Sequence, residues 1–295
     1  MVREHLVRTL LVGRNFTLLR TLISIAATAA VLGIVTPANA VVEFDEDVTN
    51  NVIMGSGIGN GGFTTDRQNG IELGMRGKLR FDAGNQPQNI FNSNNDGTYS
   101  FAAGLPPTGF SFDPNSPTTP IWNFEWSINS SFDGTGANLD QFDYRIGMDF
   151  DPGVGTNFQE FDPINIPVAD HSIGTNATAE SAGAEADGVD AVAEAADYVL
   201  LIANNNLAQN SWSMEFFNNG AFDIFDPEVD GTYDFFLEAF ERSAAGGPGQ
   251  SLARVDIQII VGAGAQVPEP AALSLFAVGL LGLGFAGYRR RRQTS

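Results

Sequence analysis

Seven short runs between residues 78 and 262 constrain this chain more than any other feature. They are "KLRFD" (78–82), "WNFEWSI" (122–128), "FDYRIGMDF" (142–150), "YVLLIAN" (198–204), "SWSMEFF" (211–217), "YDFFLEAF" (233–240) and "ARVDIQIIVG" (253–262). Most alternate apolar and polar residues with period two and are rich in β-branched or aromatic side chains, the pattern of half-buried strands. In the last run Val255, Ile257 and Ile259 alternate with Asp256 and Gln258, as in a sheet with one face wet. Gly, Pro, Asn and Asp clusters separate the runs, so the chain reads as all-β, a sandwich built from strands and turns.

The final two runs sharpen that reading. "DPEVDGTYDFFLEAF", the Gly-rich turn "SAAGGPG" and "SLARVDIQIIVG" resemble the closing hairpin of immunoglobulin-like or related β-sandwich domains. Tyr233 stands where a tyrosine-corner residue would; the "DGTY" that contains it also occurs at 96–99, as shared turn chemistry allows. The expected fold is therefore a β-sandwich, immunoglobulin-like or jelly-roll, over residues 41–265. Residues 177–197, "ATAESAGAEADGVDAVAEAAD", interrupt it: without aromatics they bury too little to offset their ordering entropy. They are expected to form a mobile acidic Ala/Glu-rich insertion, with a short helix at 190–197 capped by Asp190. A Pro-rich loop spans 104–120.

"QVPEPAALSLFAVGLLGLGFAGYRRRR" closes the chain but for three residues. Pro268 and Pro270 hold that stretch extended. Ala271 to Tyr288 form an uncharged run of 18 residues, about 27 Å as a helix, close to the hydrocarbon thickness of a bilayer. Arg289, Arg290, Arg291 and Arg292 then hold the cytoplasmic side. A helix apolar on all faces, with no domain after it to bury it, suits a membrane better than a core. The order Val267-Pro268-Glu269-Pro270, hydrophobic span, arginine cluster resembles the PEP-CTERM sorting signal. That resemblance implies recognition by an exosortase, a transpeptidase-like membrane enzyme of Gram-negative bacteria, cleavage near the motif and delivery to the cell surface or extracellular matrix. It concerns sorting, over residues 266–295, and not activity.

The N-terminal segment agrees. Arg3, Arg8, Arg14 and Arg20 precede an apolar stretch from Leu22 to Val35 and then "TPANA", in which Ala38 and Ala40 make a small-x-small cleavage site. Residues 1–40 read as a signal peptide, with Val41 the first mature residue, and the lack of a twin-arginine pair favours Sec export.

Between the two targeting segments lie only seven of the 15 Lys and Arg but 33 of the 35 Asp and Glu, a net charge of −26. A field of that sign disfavours nucleic acid and anionic lipid and leaves cations, basic partners and neutral glycans open. Cysteine is absent, so the exported body draws its stability from its core, from bound ions or from both. Twenty-three phenylalanines supply aromatic surface for that core.

Candidate chemistry is sparse. His171 is the one histidine of the body; it reads as a loop residue beside Asp170, since no Gly-x-Ser-x-Gly elbow accompanies it for a Ser-His-Asp triad. Carboxylate pairs such as Asp149 with Asp151, or Asp140 with Asp143, are the other route to catalysis, and among 33 acids such pairs arise by coincidence. "NSNNDGTYS" places Asn92, Asn94, Asp96 and Thr98 at the spacing of a calcium loop's first half, with Gly97 at its turn. It departs from that pattern in having Asn at the first position and Ala103 where a bidentate Glu should close the cage; an Asn-rich turn is the better reading. Trp122, Trp126 and Trp212 lie in strand-like runs, Trp122 and Trp126 on one face, and read either as core packing or as a sugar platform.

Together these readings predict an exported surface or matrix protein, structural or adhesive, associated with exopolysaccharide or biofilm and stiffened by calcium. The competing class is a carbohydrate-active enzyme on a jelly-roll scaffold, using paired carboxylates.

Overall fold

The computed structural model describes residues 42–49, 51–82, 84, 88–107, 116–166, 170–218, 225–243 and 247–264. Residues 1–40, expected to be a signal peptide with its cleavage site at Ala38 and Ala40, the motif Val267–Pro270, the span 271–288 and the arginine cluster lie outside the described residues. Among those described, no helix is long and apolar enough to cross a membrane.

Among the described residues eleven strands form two sheets. Sheet I has the order β1 (Val42–Glu46), β2 (Phe63–Gln68), β3 (Ile71–Leu79), β5 (Trp122–Asn129), β9 (Leu207–Trp212), β8 (Ser172–Gly174), every neighbouring pair antiparallel. Sheet II has the order β4 (Thr98–Phe101), β11 (Ser251–Val261), β10 (Gly231–Glu241), β6 (Phe142–Asp149), β7 (Phe158–Phe161), with β4 parallel to β11. The two sheets share one apolar core, the layering of a β-sandwich. Leu73, Met75, Trp122, Phe124, Trp126 and Ile128 enter it from sheet I; Ile146, Tyr233, Phe235, Leu237, Val255 and Ile257 enter from sheet II.

The closing hairpin is as expected. β10 and β11 pair with Tyr233 opposite Ile259, Phe235 opposite Ile257 and Leu237 opposite Val255, so the period-two apolar set faces inward. The Tyr233 ring packs against Phe225 at 5.1 Å and Trp122 at 6.4 Å.

Three expectations need correction. "YVLLIAN" is not a strand: Ala191–Asn204 is one continuous α-helix, α1. Its cap is where the sequence put it, Asp190 Oδ1 accepting from the amides of Val192 and Ala193. Once that turn is fixed, propagation adds one hydrogen bond per residue. Tyr198 and Ile202, one turn apart, then bury together on the core side. "SWSMEFF" is the end of β9 followed by a 3₁₀ turn at Met214–Phe217. Finally, residues 177–190 do not stand clear of the body: Ile173 and Ala184 exchange backbone hydrogen bonds of 2.7 and 2.8 Å, and the amides of Ser181 and Gly183 donate to Val52 and Ile53.

Those last contacts belong to an unforeseen third layer. Residues 47–62 run as a strap across the outer face of sheet I and close a small apolar cluster of Val48, Val52, Met54 and Phe63, with Ile58 against it. Polar strand residues hold the strap down. Glu72 accepts from the Thr49 amide at 2.7 Å and the Thr49 hydroxyl at 2.9 Å. Gln209 accepts from the Ile53 amide at 2.7 Å and donates to Asn51 O at 3.0 Å. The Arg76 guanidinium donates to Gly61 O and is sandwiched between the rings of Phe63 and Phe91, 4.0 and 3.9 Å away.

Candidate functional site

The cations of the body are spent internally. Arg67 pairs with Glu43 (2.5 Å) and Glu72 (2.6 Å), and Arg76 and Lys78 share Glu125 at 2.5 and 3.3 Å. Arg145 bridges Glu160 (3.2 Å) and Glu238 (3.6 Å), Arg242 meets Asp143 at 3.8 Å, and Arg254 pairs with Glu238 (3.1 Å) and Asp256 (2.6 Å). The seventh, Arg80, lies half-buried over the ring of Phe81 at 4.9 Å. What the body offers to solvent is therefore a field of carboxylates with few exposed cations to interrupt it.

Many of those carboxylates also do structural work through one oxygen. Asp82, Asp96, Asp133, Asp151 and Asp226 each accept a hydrogen bond from the amide two residues on, the Asx turn. Asp149 accepts from Asp151 N (3.0 Å) and Asn157 N (2.7 Å); Asp162 accepts from Ile164 N and Asn165 N, both at 2.8 Å, and from Tyr144 N at 3.1 Å. The sequence offered Asp96 as a calcium ligand and Asp149 with Asp151 as a carboxylate pair, whereas each of these acids accepts from the amide two residues on.

The candidate calcium loop is a turn of the same kind. Asp96 Oδ1 accepts from the Thr98 amide (2.9 Å) and hydroxyl (2.7 Å), which holds its carboxyl below the usual range. Asn94 donates its side-chain amide to Thr98 Oγ1 and Ser100 Oγ, and Asn92 donates to Ser100 O. Asn92, Asn95 and Gly97 take positive φ values of 50°, 63° and 88°, conformations that Asn and Gly tolerate. The loop thus launches β4 into its pairing with β11. Among the described residues no group of three or more His, Cys, Asp and Glu side chains could hold a metal ion.

His171 is part of the core. Its ring is fully buried, edge-on to Trp126 at 4.9 Å, with Trp212 and Tyr198 at 5.7 and 6.1 Å. Nε2–H donates to Pro163 O at 2.6 Å, and Nδ1 accepts from the Asn210 side-chain amide at 2.9 Å. Asp170 contributes its backbone carbonyl to Asn210, not its carboxylate to the ring. Burial pushes the imidazole down to about 4, so it is neutral at physiological pH with both nitrogens engaged.

Asp149 and Asp151 act in consecutive turns, and burial raises Asp149 against the two amides that favour its charge. Asp140 sits in the 3₁₀ turn Leu139–Gln141, where its backbone carbonyl accepts from Arg242, while Asp143 forms the ion pair with that arginine. Trp122 and Trp126 share one face of β5, as expected, and that face is the core: each is no more than 1% exposed. Trp212 is half-buried among Phe124, Phe161 and Phe217.

A groove of about 400 Å³ opens on sheet II, lined by Asp143, Arg145, Glu160, Phe161, Asp162 and Phe240. Each of its charged side chains is committed: Asp143, Arg145 and Glu160 in ion pairs, and Asp162 to three backbone amides.

Comparison with known proteins places one segment. The family of the PEP-CTERM protein-sorting motif matches residues 266–292, the stretch whose prolines, apolar span and arginines the sequence singled out. No curated protein and no solved structure matches the chain, and the body remains without a family. The chain thus carries a PEP-CTERM protein-sorting motif at residues 266–292, which implies export and exosortase-mediated sorting to the surface of a Gram-negative cell.

Proposed function

We propose that the body is a non-enzymatic structural or adhesive module of the outer surface or extracellular matrix, acting through its carboxylate surface among exopolysaccharide. One observation carries the reading: six of the seven body cations are held in intramolecular ion pairs, leaving a body at −26 whose external charge is overwhelmingly negative. A surface of that kind stays hydrated, repels its own copies and draws divalent cations, which can bridge it to acidic polymers. The route there is Sec export with removal of residues 1–40, then a membrane intermediate held by 271–288 until cleavage near Val267–Pro270. The commitment of the groove's carboxylates to ion pairs and turns favours this reading over polysaccharide hydrolysis.

The test compares calcium with sodium at equal ionic strength. Calcium near 1 mM, the range of extracellular sites, is expected to raise the melting temperature and to retain the body on exopolysaccharide from the producing cells, with chelation reversing both. Identical behaviour in the two salts would remove cation bridging. Release of reducing ends or unsaturated products from a polysaccharide panel, lost on Asp149→Asn with Asp151→Asn, would establish the enzyme instead.

A further inference from the structure

Where the strap meets Arg76 through Gly61 O, sheet I holds a buried ionic cluster that is out of balance. Lys78 and Asn123 are direct cross-strand partners on β3 and β5, and the next pair on the same face is Arg76 with Glu125. All four side chains are buried: Arg76 and Glu125 are 0% exposed, Lys78 4% and Asn123 5%. Glu125 Oε2 is taken by Arg76 through Nε at 2.7 Å and Nη2 at 2.5 Å, while Oε1 faces Lys78 Nζ at 3.3 Å. Arg80, half-buried nearby, adds a further positive charge that Lys78 feels. One carboxylate thus serves two buried cations and a third at the margin, an arrangement that burial penalises heavily.

One acceptor in the cluster, Asn123 Oδ1, lacks a hydrogen-bonded donor, whereas Glu125 Oε1 has the Lys78 ammonium beside it. The Asn123 amide nitrogen is anchored to Ser211 Oγ at 3.2 Å, which fixes the orientation of the carboxamide beside the lysine. A desolvated amine, a carboxamide at the register position across from it and a carboxylate 3.3 Å from the amine are the parts of an amide exchange.

We propose that Lys78 and Asn123 condense into an intramolecular isopeptide bond, with Glu125 carrying the proton. Lys78 gives a proton to Glu125 Oε1, and the neutral Nζ attacks Asn123 Cγ. The carbonyl oxygen takes up negative charge beside the Arg76 and Arg80 field. Glu125 returns a proton to the departing Nδ2, the Cγ–Nδ2 bond breaks, and ammonia leaves, taking up the remaining amine proton as ammonium. An ammonium side chain and a carboxamide become a secondary amide and a free ammonium ion, so atoms and charge balance without oxidant or cofactor. Burial already pulls the Lys78 amine below its ordinary range against the pull of Glu125, which favours the first step. The product removes the surplus charge: Arg76 and Glu125 are left as a matched pair. It would also give a cysteine-free exported body a covalent link between two central strands of sheet I, closing the loop between residues 78 and 123.

The experiment is intact-mass measurement and tandem sequencing of a digest of the full chain, purified folded. The expected result is a species lighter than its sequence by one ammonia, with the Lys78 and Asn123 peptides joined. The link should be absent from Lys78→Arg and from protein held unfolded in urea, and strongly slowed in Glu125→Gln. Separate peptides carrying free Lys78 and intact Asn123 from folded wild-type protein would overturn the proposal. So would an ammonia loss that maps to Asn60-Gly61, Asn69-Gly70 or Asn219-Gly220, where backbone succinimide formation gives the same mass. Linkage in Glu125→Gln at the wild-type rate would remove Glu125 from the mechanism.

Discussion

Gly147 lies directly beneath the ring of Phe236: a Cβ built on that glycine would sit 2.1 Å from Phe236 Cε1 and 2.6 Å from Cδ1. The two residues are cross-strand partners in β6 and β10, on the outer face of sheet II. The ring cannot swing away. Arg254 stacks on it with the guanidinium carbon 3.9 Å from the centroid, and Phe158 meets it edge-on at 5.1 Å. Gly147→Ala is therefore expected to cost about 2 kcal/mol, as overpacking does. The double variant with Phe236→Leu should recover part of the loss, because the two positions share one contact. Urea unfolding of the single and double variants checks both; strictly additive effects would show that the ring tilts freely.

His171 gives stability a pH dependence of known sign. Its ordinary value is 6.5 and burial brings it to about 4, so the unfolded chain takes up the proton first. The neutral buried ring stabilises the fold fully above about pH 6.5. That contribution is lost as pH falls from there to about 4 and changes no further below it. A depression of this size corresponds to about 3 kcal/mol. Because many carboxylates titrate in the same range, the quantity to follow is the difference between wild type and His171→Gln. Denaturant unfolding at pH 7, 5.5 and 4 should show that difference shrinking steadily toward acid. A constant difference would mean that the ring protonates in place.

How much of this was readable depends on the distance over which each element is decided. β10 and β11 were legible because one face is core and the other wet, so Val255, Ile257 and Ile259 announce the face they bury. β5 was legible as a strand but not in its burial: "WNFEWSI" implies a solvent side at Asn123 and Glu125, and that side is buried as well. The strap itself, "DVTNNVIMGSGIGNGG", has no periodicity, and its anchors lie far along the chain; Gln209 and Ile53 are 156 residues apart. Helix α1 misled at its second half because Tyr198, Val199 and Ile202 favour strands locally, while the Asp190 cap and tertiary packing decide the outcome. The seat of His171 turns on Asn210, 39 residues away, which no local pattern near "VADHSIG" reveals.

The strap predicts its own release. Gln209 makes three hydrogen bonds in a buried setting: from Ile53 N, to Asn51 O and to Ser127 Oγ at 3.1 Å. Gln209→Met keeps the volume and strands the strap's donor and acceptor, a loss of about 3 kcal/mol. The local consequence is the sharper readout. Amide exchange at Ile53 should accelerate, and Ser181 and Gly183, which donate to the carbonyls of Val52 and Ile53, should lose protection with it. Unchanged protection at these three amides would show that the strap is held without Gln209, by its apolar cluster and by Glu72 and Arg76.

The sorting motif makes the prediction most directly tied to biological role. A membrane-embedded enzyme can cut only an accessible segment, and Pro268 and Pro270 break any helix that would run through Val267-Pro268-Glu269-Pro270. Replacing Pro268, Glu269 and Pro270 by alanine removes both the recognised side chains and that break, since alanine propagates a helix well. The variant is expected to accumulate in the membrane fraction with Arg289–Arg292 still attached, while wild-type protein leaves with a C-terminus near Pro270. C-terminal peptide mapping of both, from the producing cells, distinguishes the outcomes. Wild-type protein that keeps its arginines would make the segment a lasting anchor and would hold the acidic body at the membrane rather than in the matrix.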